Sequence, residues 1–100
     1  AAVTEEEKRI KEKVALFLAL HDALFHALSH FFACLSKYLK IPKRMETFFD
    51  KLIFSIMHRH SMYVKHFTVP YGRYESHIHD QCRLLCKCVV FMESKMNLEK

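Results

Sequence analysis

Only one glycine and two prolines occur in this chain of 100 residues, and that scarcity limits its possible folds more than any other feature. A β-rich domain of the same length needs many tight turns, which are built mostly from Gly, Pro, Asn and Asp. Pro42, Pro70 and Gly72 allow sharp breaks at only two places. Two breaks separate three long segments, so the sequence predicts an all-α fold with three helices.

The first helix has a start signal and an end signal in the sequence. Thr4 followed by Glu7 matches a capping box, in which the Thr side chain accepts a hydrogen bond from a backbone N–H group of the first turn. Nothing interrupts helical geometry until Ile41 and Pro42, and the residue before a proline disfavours the helical conformation. These signals predict helix 1 over residues 5–40, a length of about 54 Å.

Two further helices are predicted, one on each side of the second break at residues 68–73. Pro42 is a favourable first-turn residue, so helix 2 is predicted over residues 42–67. Helix 3 is predicted over residues 74–97, because its apolar residues alternate steps of four and three. The predicted apolar positions are Met45, Phe48, Phe49, Leu52, Ile56, Tyr63 and Phe67 in helix 2, and Ile78, Cys82, Leu85, Val89, Met92 and Met96 in helix 3.

The predicted helices define one arrangement for the whole chain. Short loops between long helices favour antiparallel neighbours. The sequence therefore predicts a single domain over residues 1–100, folded as an antiparallel, up-down-up three-helix bundle whose first helix is unusually long. A chain of 100 residues has an ordinary length for one domain.

Residues 14–35 are too apolar for a helix that packs against only two others. Seventeen of these 22 residues are apolar, and none is Lys, Arg or Glu. A helix on the surface of a bundle normally has one apolar stripe and a charged back. A second copy of the chain, a partner helix or lipid could cover the remaining apolar surface. Asp22, His26 and His30 fall within the stretch and argue against lipid.

This segment carries the functional prediction, a non-enzymatic module for protein–protein interaction that acts as a scaffold, an adaptor or a dimerisation domain. In a symmetric dimer the same face of helix 1 would meet itself. Large aromatic side chains supply much of the energy at the centre of protein interfaces. The predicted interface residues are Phe17, Leu24, Phe25, Leu28, Phe31 and Phe32.

Two groups of residues have the helical spacing of metal ligands, and they give a zinc-stabilised domain as an alternative. His79, Cys82 and Cys86 share one broad face of helix 3 and carry ligand types that suit zinc. Asp22, His26 and His30 recur every four residues in helix 1. Both groups lack a fourth ligand and the paired C-x2-C pattern, so no cofactor is part of the main prediction.

Nucleic-acid binding is the alternative from a different functional class. The net charge is +5, and three-helix units are common among DNA-binding domains. Lys37, Lys40, Lys43 and Arg44 lie around the first break, but the chain contains no dense basic run. The predicted helices are also much longer than those of a compact helix-turn-helix unit.

The sequence contains no motif for an active site, and its cysteines indicate an intracellular protein. A Gly-rich phosphate loop, G-x-S-x-G and H-E-x-x-H are all absent, so neither enzymatic activity nor a small-molecule substrate is predicted. Three of the four cysteines fall within residues 82–88, a spacing that does not suggest a disulfide framework. With the acidic residues Glu5–Glu7 near the start, this predicts a cytoplasmic or nuclear location.

Overall fold

The computed structural model of the chain describes residues 4–65 and 71–98, and it confirms the prediction of an all-α protein. These residues form three α-helices: α1 at Glu5–Tyr38, α2 at Glu46–Lys65 and α3 at Tyr71–Leu98. A single turn of 3₁₀ helix, Lys43–Met45, precedes α2. The described residues are 94% helical and contain no strand.

Helix α1 begins at the predicted capping residue. Thr4 has an extended backbone (φ −66°, ψ 155°), and its Oγ1 accepts a hydrogen bond from the backbone N–H of Glu7 at 3.2 Å. Glu5 and Glu6 follow in the first turn, where negative charge interacts favourably with the helix dipole. The sequence signal and the observed start of the helix therefore agree.

Helix α1 ends two residues before the predicted position, because the chain closes it with a Schellman motif. Lys40 adopts a left-handed conformation with φ 54°, the one positive φ recorded for a described non-Gly residue. The N–H of Ile41 donates to the carbonyl of Ser36 at 2.9 Å, and the N–H of Lys40 donates to that of Lys37 at 3.3 Å. Pro42 follows directly, as is common after this motif.

Replacing Lys40 by glycine is expected to stabilise the protein by about 1 kcal/mol, because glycine has no Cβ to oppose the left-handed conformation. Lys37→Gly is the matched control, since Lys37 is an exposed residue of the last helical turn. That substitution should destabilise the protein by about 0.5–1 kcal/mol. Urea unfolding followed by circular dichroism measures both. Equal effects of the two substitutions would contradict the role assigned to Lys40.

The starts of α2 and α3 differ from their predicted positions. Pro42 is extended (φ −62°, ψ 148°) and precedes the 3₁₀ turn, so α2 begins at Glu46 and not at residue 42. Helix α3 begins at Tyr71 instead of residue 74, because Gly72 has no positive φ and the helix accommodates it in its first turn. Residues 71–73 of the predicted break at 68–73 are therefore helical, while residues 68–70 and the predicted end of helix 2 at residue 67 lie outside the described residues.

The buried face of α2 also differs from the predicted stripe. Ile53, Met57 and His60 are its buried residues, whereas Met45 and Phe48 are 41% and 52% exposed. Apolar residues occupy adjacent positions in this helix, such as 52 with 53 and 56 with 57. Periodicity therefore fits two neighbouring faces about equally well, and only packing against α1 selects one. Three predicted positions are partly buried: Phe49, Leu52 and Ile56. Tyr63 and Phe67, the remaining predicted positions, have no described side chain.

Helix α1 packs against both of the other helices and carries the core. It approaches α3 along much of its length and α2 over a shorter stretch, while His60 of α2 contacts the rings of Tyr74 and His77 of α3. The molecule measures 62 × 25 × 25 Å, with a radius of gyration of 17.3 Å against about 13 Å for a compact chain of this length. The main buried cluster contains Leu20, Leu24, Leu28, Ile53, Met57, Tyr74 and Ile78, and a smaller one contains Cys34, Val89 and Met92.

Contacts between named side chains fix which parts of the helices lie side by side. Between α1 and α2, the rings of Phe32 and Phe49 stack with their centroids 5.1 Å apart, and His21 Nε2 lies 3.4 Å from the carbonyl oxygen of Met57. Between α1 and α3, the rings of Phe17 and Tyr74 lie 5.7 Å apart. Farther along these two helices, Cys34 Sγ lies 4.0 Å from the carbonyl oxygen of Val89.

Candidate functional site

Large apolar side chains are exposed on all three helices. A small core of this kind leaves much apolar surface in water, and contiguous apolar patches on a protein surface commonly mark interaction sites. Two such surfaces occur among the described residues. The exposed large apolar side chains are Ile10, Val14, Leu16, Leu18, Phe25, Leu39, Met45, Phe48, Phe54, Met62, Leu84, Val90 and Phe91.

The first surface, here called the α1 flank, consists of Ile10, Val14, Leu18 and Phe25. Steps of four, four and seven residues place these side chains along one side of the helix. Their exposed fractions are 55%, 51%, 58% and 45%. The contacts between α1 and α2 place Phe54 at about the level of Phe25, and Phe54 is 73% exposed. The α1 flank therefore continues towards an exposed aromatic ring on α2.

The structure divides the six predicted interface residues between the core and the surface. Leu24 and Leu28 are 1% and 6% exposed and belong to the intramolecular core, so they present little surface to a partner of this folded chain. Phe17, Phe31 and Phe32 are partly buried and pack against the two clusters. Phe25 is the one member that is exposed. Ile10, Val14 and Leu18 are also exposed and were not among the six predicted residues, although their four-residue spacing with one another is visible in the sequence.

The second surface is a groove between α2 and α3, here called the α2–α3 groove. Its floor consists of Leu28 and Phe31 of α1, which are one helical turn apart. A cavity of about 350 Å³ lies between α2 and α3 at Leu28, and an open depression of about 330 Å³, lined within the described residues by α1 and α3 alone, lies farther along at Phe31. The walls consist of Ile56, Arg59 and His60 from α2, and of His77, Gln81, Leu84, Leu85, Lys87, Cys88, Phe91 and Met92 from α3.

The groove has a signal in the sequence that the prediction of helix 3 did not use. Leu84 and Phe91 are seven residues apart and adjoin the apolar stripe at Leu85 and Met92. They widen the apolar arc of α3 beyond what packing against one helix requires. Both are exposed, by 62% and 56%, on the side of α3 that faces the groove.

His60 is the buried polar residue at one end of this groove. The residue is 5% exposed, and the centroid of its ring lies 6.0 Å from that of Tyr74 and 5.7 Å from that of His77. Burial lowers the pKa of His60, and the nearby charges of His77, His21 and Arg59 lower it further, while a hydrogen bond with Gln81 acts in the opposite direction. The imidazole is therefore neutral at neutral pH.

The described residues contain no group of three or more His, Cys, Asp or Glu side chains arranged to hold a metal ion. His79 is exposed and lies 3.6 Å from Glu75, while Cys82 packs against the main buried cluster and Cys86 is exposed. On α1, Asp22 and His26 form an exposed pair at 3.5 Å. The zinc site at His79, Cys82 and Cys86 stays a prediction, to be tested by zinc analysis of untagged protein.

The four cysteines are free thiols in different environments. Cys34 is buried, and its pKa is raised by burial and then by the charge of Glu93, with Lys37 acting in the opposite direction. Burial also raises the pKa of Cys82, with a further contribution from Cys86. Since the thiolate is the reactive form, Cys34 and Cys82 act as small apolar side chains of the core.

Helix α1 is long and apolar enough to cross a membrane, by length and composition alone. Only 17% of its most apolar stretch is buried in the structure. A single helix of this kind is weak evidence, because core helices of soluble proteins and signal sequences have the same properties. Asp22, His26 and His30 are exposed within the stretch, and one Asp at the centre of a bilayer costs about 2.5–3.5 kcal/mol.

No protein-family model matches this chain, and neither a curated protein nor a solved structure shows significant similarity to it.

Proposed function

We propose that this chain is a non-enzymatic helical module for protein–protein interaction, completed by a second copy or by a helix of another protein on the α1 flank. The observation that carries the proposal is the exposure of Ile10, Val14, Leu18 and Phe25 along one side of the longest helix. Isolated apolar residues are normal on a protein surface, but four of them along about four turns of one side of a helix indicate an interface.

The proposed module is an up-down-up bundle. Phe32 pairs with Phe49 while His21, earlier in α1, lies beside Met57, later in α2, and this order supports antiparallel helices. Phe17 pairs with Tyr74 while Cys34, later in α1, lies beside Val89, later in α3, and this order supports a parallel pair. In such a bundle α1 is the shared packing partner of α2 and α3, and the other described residues leave its flank exposed.

The chemistry of the α1 flank suits an apolar, protein-like partner. Phe25 has an exposed aromatic ring beside that of His26, with ring centroids 5.8 Å apart. Full burial of a Phe, Leu or Val side chain contributes about 1.5–3 kcal/mol. The absence of Lys, Arg and Glu from residues 14–35 means that little charge must be desolvated there. The reduced thiols predicted from the cysteine spacing make a cytoplasmic or nuclear location part of the proposal.

Phe25→Glu is expected to separate the assembly without unfolding the chain, because it places a charge in the apolar contact at an exposed position. The apparent dissociation constant should rise at least about tenfold, the cost of truncating an average interface anchor. Light scattering across a concentration range measures the molar mass of the purified chain, for which one copy is 12.0 kDa. Circular dichroism measures its helix content.

Ala19→Glu is the matched control, because Ala19 is exposed on a different side of the same helix and the substitution adds the same charge. It should leave the molar mass unchanged. If the wild-type chain is a monomer at every concentration, the homodimer is ruled out, and the flank is tested by crosslinking to a partner through a photoreactive residue at position 25. If Ala19→Glu and Phe25→Glu act equally, the α1 flank is not the interface.

A further inference from the structure

We propose that the α2–α3 groove binds an acidic amphipathic helix of another protein, which packs as the fourth helix of a four-helix bundle. This is a second binding surface and does not depend on the α1 flank. The geometry that leads to it is the separation of α2 from α3, both of which pack on α1.

The groove has the shape of a vacant helix position. In a four-helix bundle each helix packs against two neighbours and lies diagonally opposite the remaining one. Here α1 packs closely against both α2 and α3, whereas α2 and α3 meet mainly at His60, whose ring lies near those of Tyr74 and His77. The vacant position is diagonally opposite α1, which is where Leu28 and Phe31 form the floor of the groove.

The walls of the groove present apolar residues at helical spacing. Leu84 and Phe91 are exposed on α3, and Ile56 is partly exposed on α2. Cys88 and Met92 continue the α3 wall. From His77 to Met92 the α3 wall is about 22 Å long, which matches about four turns of a partner helix, whereas the α2 wall from Ile56 to His60 covers about one turn. Apolar residues spaced three and four apart on that helix would bury these side chains.

The charge of the groove selects the partner. Arg59 lines the first cavity and Lys87 the second, and no Asp or Glu lines either one within the described residues. Lys95 adds a third cation, with its Nζ 5.5 Å from the centre of the Phe91 ring. A helix with Glu or Asp beside its apolar stripe would pair with these cations. A second copy of a chain with net charge +5 is less complementary.

The test uses a fluorescein-labelled synthetic helix of about 18 residues with Leu on one face and Glu on both flanks, together with a second peptide that carries Lys in place of Glu. Fluorescence anisotropy measures binding to the intact chain at neutral pH. The Glu peptide is expected to bind at least about tenfold more tightly than the Lys peptide, because the rim charges are cationic. Raising the NaCl concentration should reduce this difference.

Two substitutions on α3 locate the binding site. Leu84→Glu should weaken binding of the Glu peptide at least about tenfold, because it introduces an acidic group into the apolar wall. Val90→Glu is the matched control, since Val90 is 66% exposed on the same helix and lines neither cavity. It should change the affinity less than about twofold, because position 90 lies outside the proposed contact. Lys87→Glu should reduce the preference for the Glu peptide over the Lys peptide.

Other outcomes would overturn the proposal. Equal binding of the two peptides, no binding of either, or equal effects of Leu84→Glu and Val90→Glu would each do so. If light scattering shows a wild-type dimer that Leu84→Glu separates, the occupant is a second copy. If vesicles of anionic phospholipid bind the chain and Leu84→Glu abolishes that binding, the occupant is lipid. Phe25→Glu is expected to change none of these results, so the proposal for the α1 flank and the proposal for the α2–α3 groove are tested independently.

Discussion

Leu24→Ala is expected to destabilise the protein by about 2–5 kcal/mol, the range for a fully buried leucine that leaves a cavity. Leu24 is 1% exposed and lies in the cluster that joins α1 to Ile53 of α2 and Ile78 of α3. A domain of this size is usually stable by only about 5–15 kcal/mol. The substitution therefore removes a large share of the stability, which urea unfolding followed by circular dichroism measures.

Leu18→Ala is the control for this prediction, because it removes the same atoms from the same helix at a position that is 58% exposed. Surface substitutions of this kind change stability by about 0.5 kcal/mol or less. Comparing the two losses in stability distinguishes buried residues of α1 from residues of its exposed flank. Similar losses for the two variants would mean that the α1 flank is also covered in solution.

Lowering the pH below about 6.5, the ordinary pKa of histidine, is expected to destabilise the fold through His60. Burial and the charges of His77 on α3, His21 on α1 and Arg59 on α2 lower the pKa of His60 in the folded state. Between this lowered pKa and 6.5 the unfolded chain binds more protons than the folded chain. Stability is therefore fully present above pH 6.5 and is lost as the pH falls through the folded pKa.

The other neighbour of His60 does not compensate this loss, because burial raises the pKa of Tyr74 and its hydroxyl stays neutral. Thermal unfolding between about pH 5 and 8 measures the effect. His60→Phe should flatten the slope below pH 6.5, whereas His58→Phe, at an exposed position beside Phe54, should leave it unchanged. An NMR titration midpoint for His60 above 6.5 would contradict the assignment.

Local chemistry determined the helical class and several of the helix limits. The capping box at Thr4 and Glu7 predicted the start of α1, and the alternating stripe from Ile78 to Met96 predicted the buried face of α3. These signals act over one or two turns of chain, so the sequence contains all of the information they need. The left-handed Lys40 had no such signal, because glycine usually occupies that position.

Tertiary packing decided which apolar side chains became core and which became surface. In residues 14–35 almost every side of the helix is apolar, so periodicity could not separate the buried Leu24 and Leu28 from the exposed Leu18 and Phe25. The same ambiguity hid Ile53 and Met57 in α2. The hydrophobic effect is not directional, so the position of the neighbouring helix determines which apolar side chains are buried. The groove between α2 and α3 likewise exists only because both helices pack mainly on α1 and meet each other at His60.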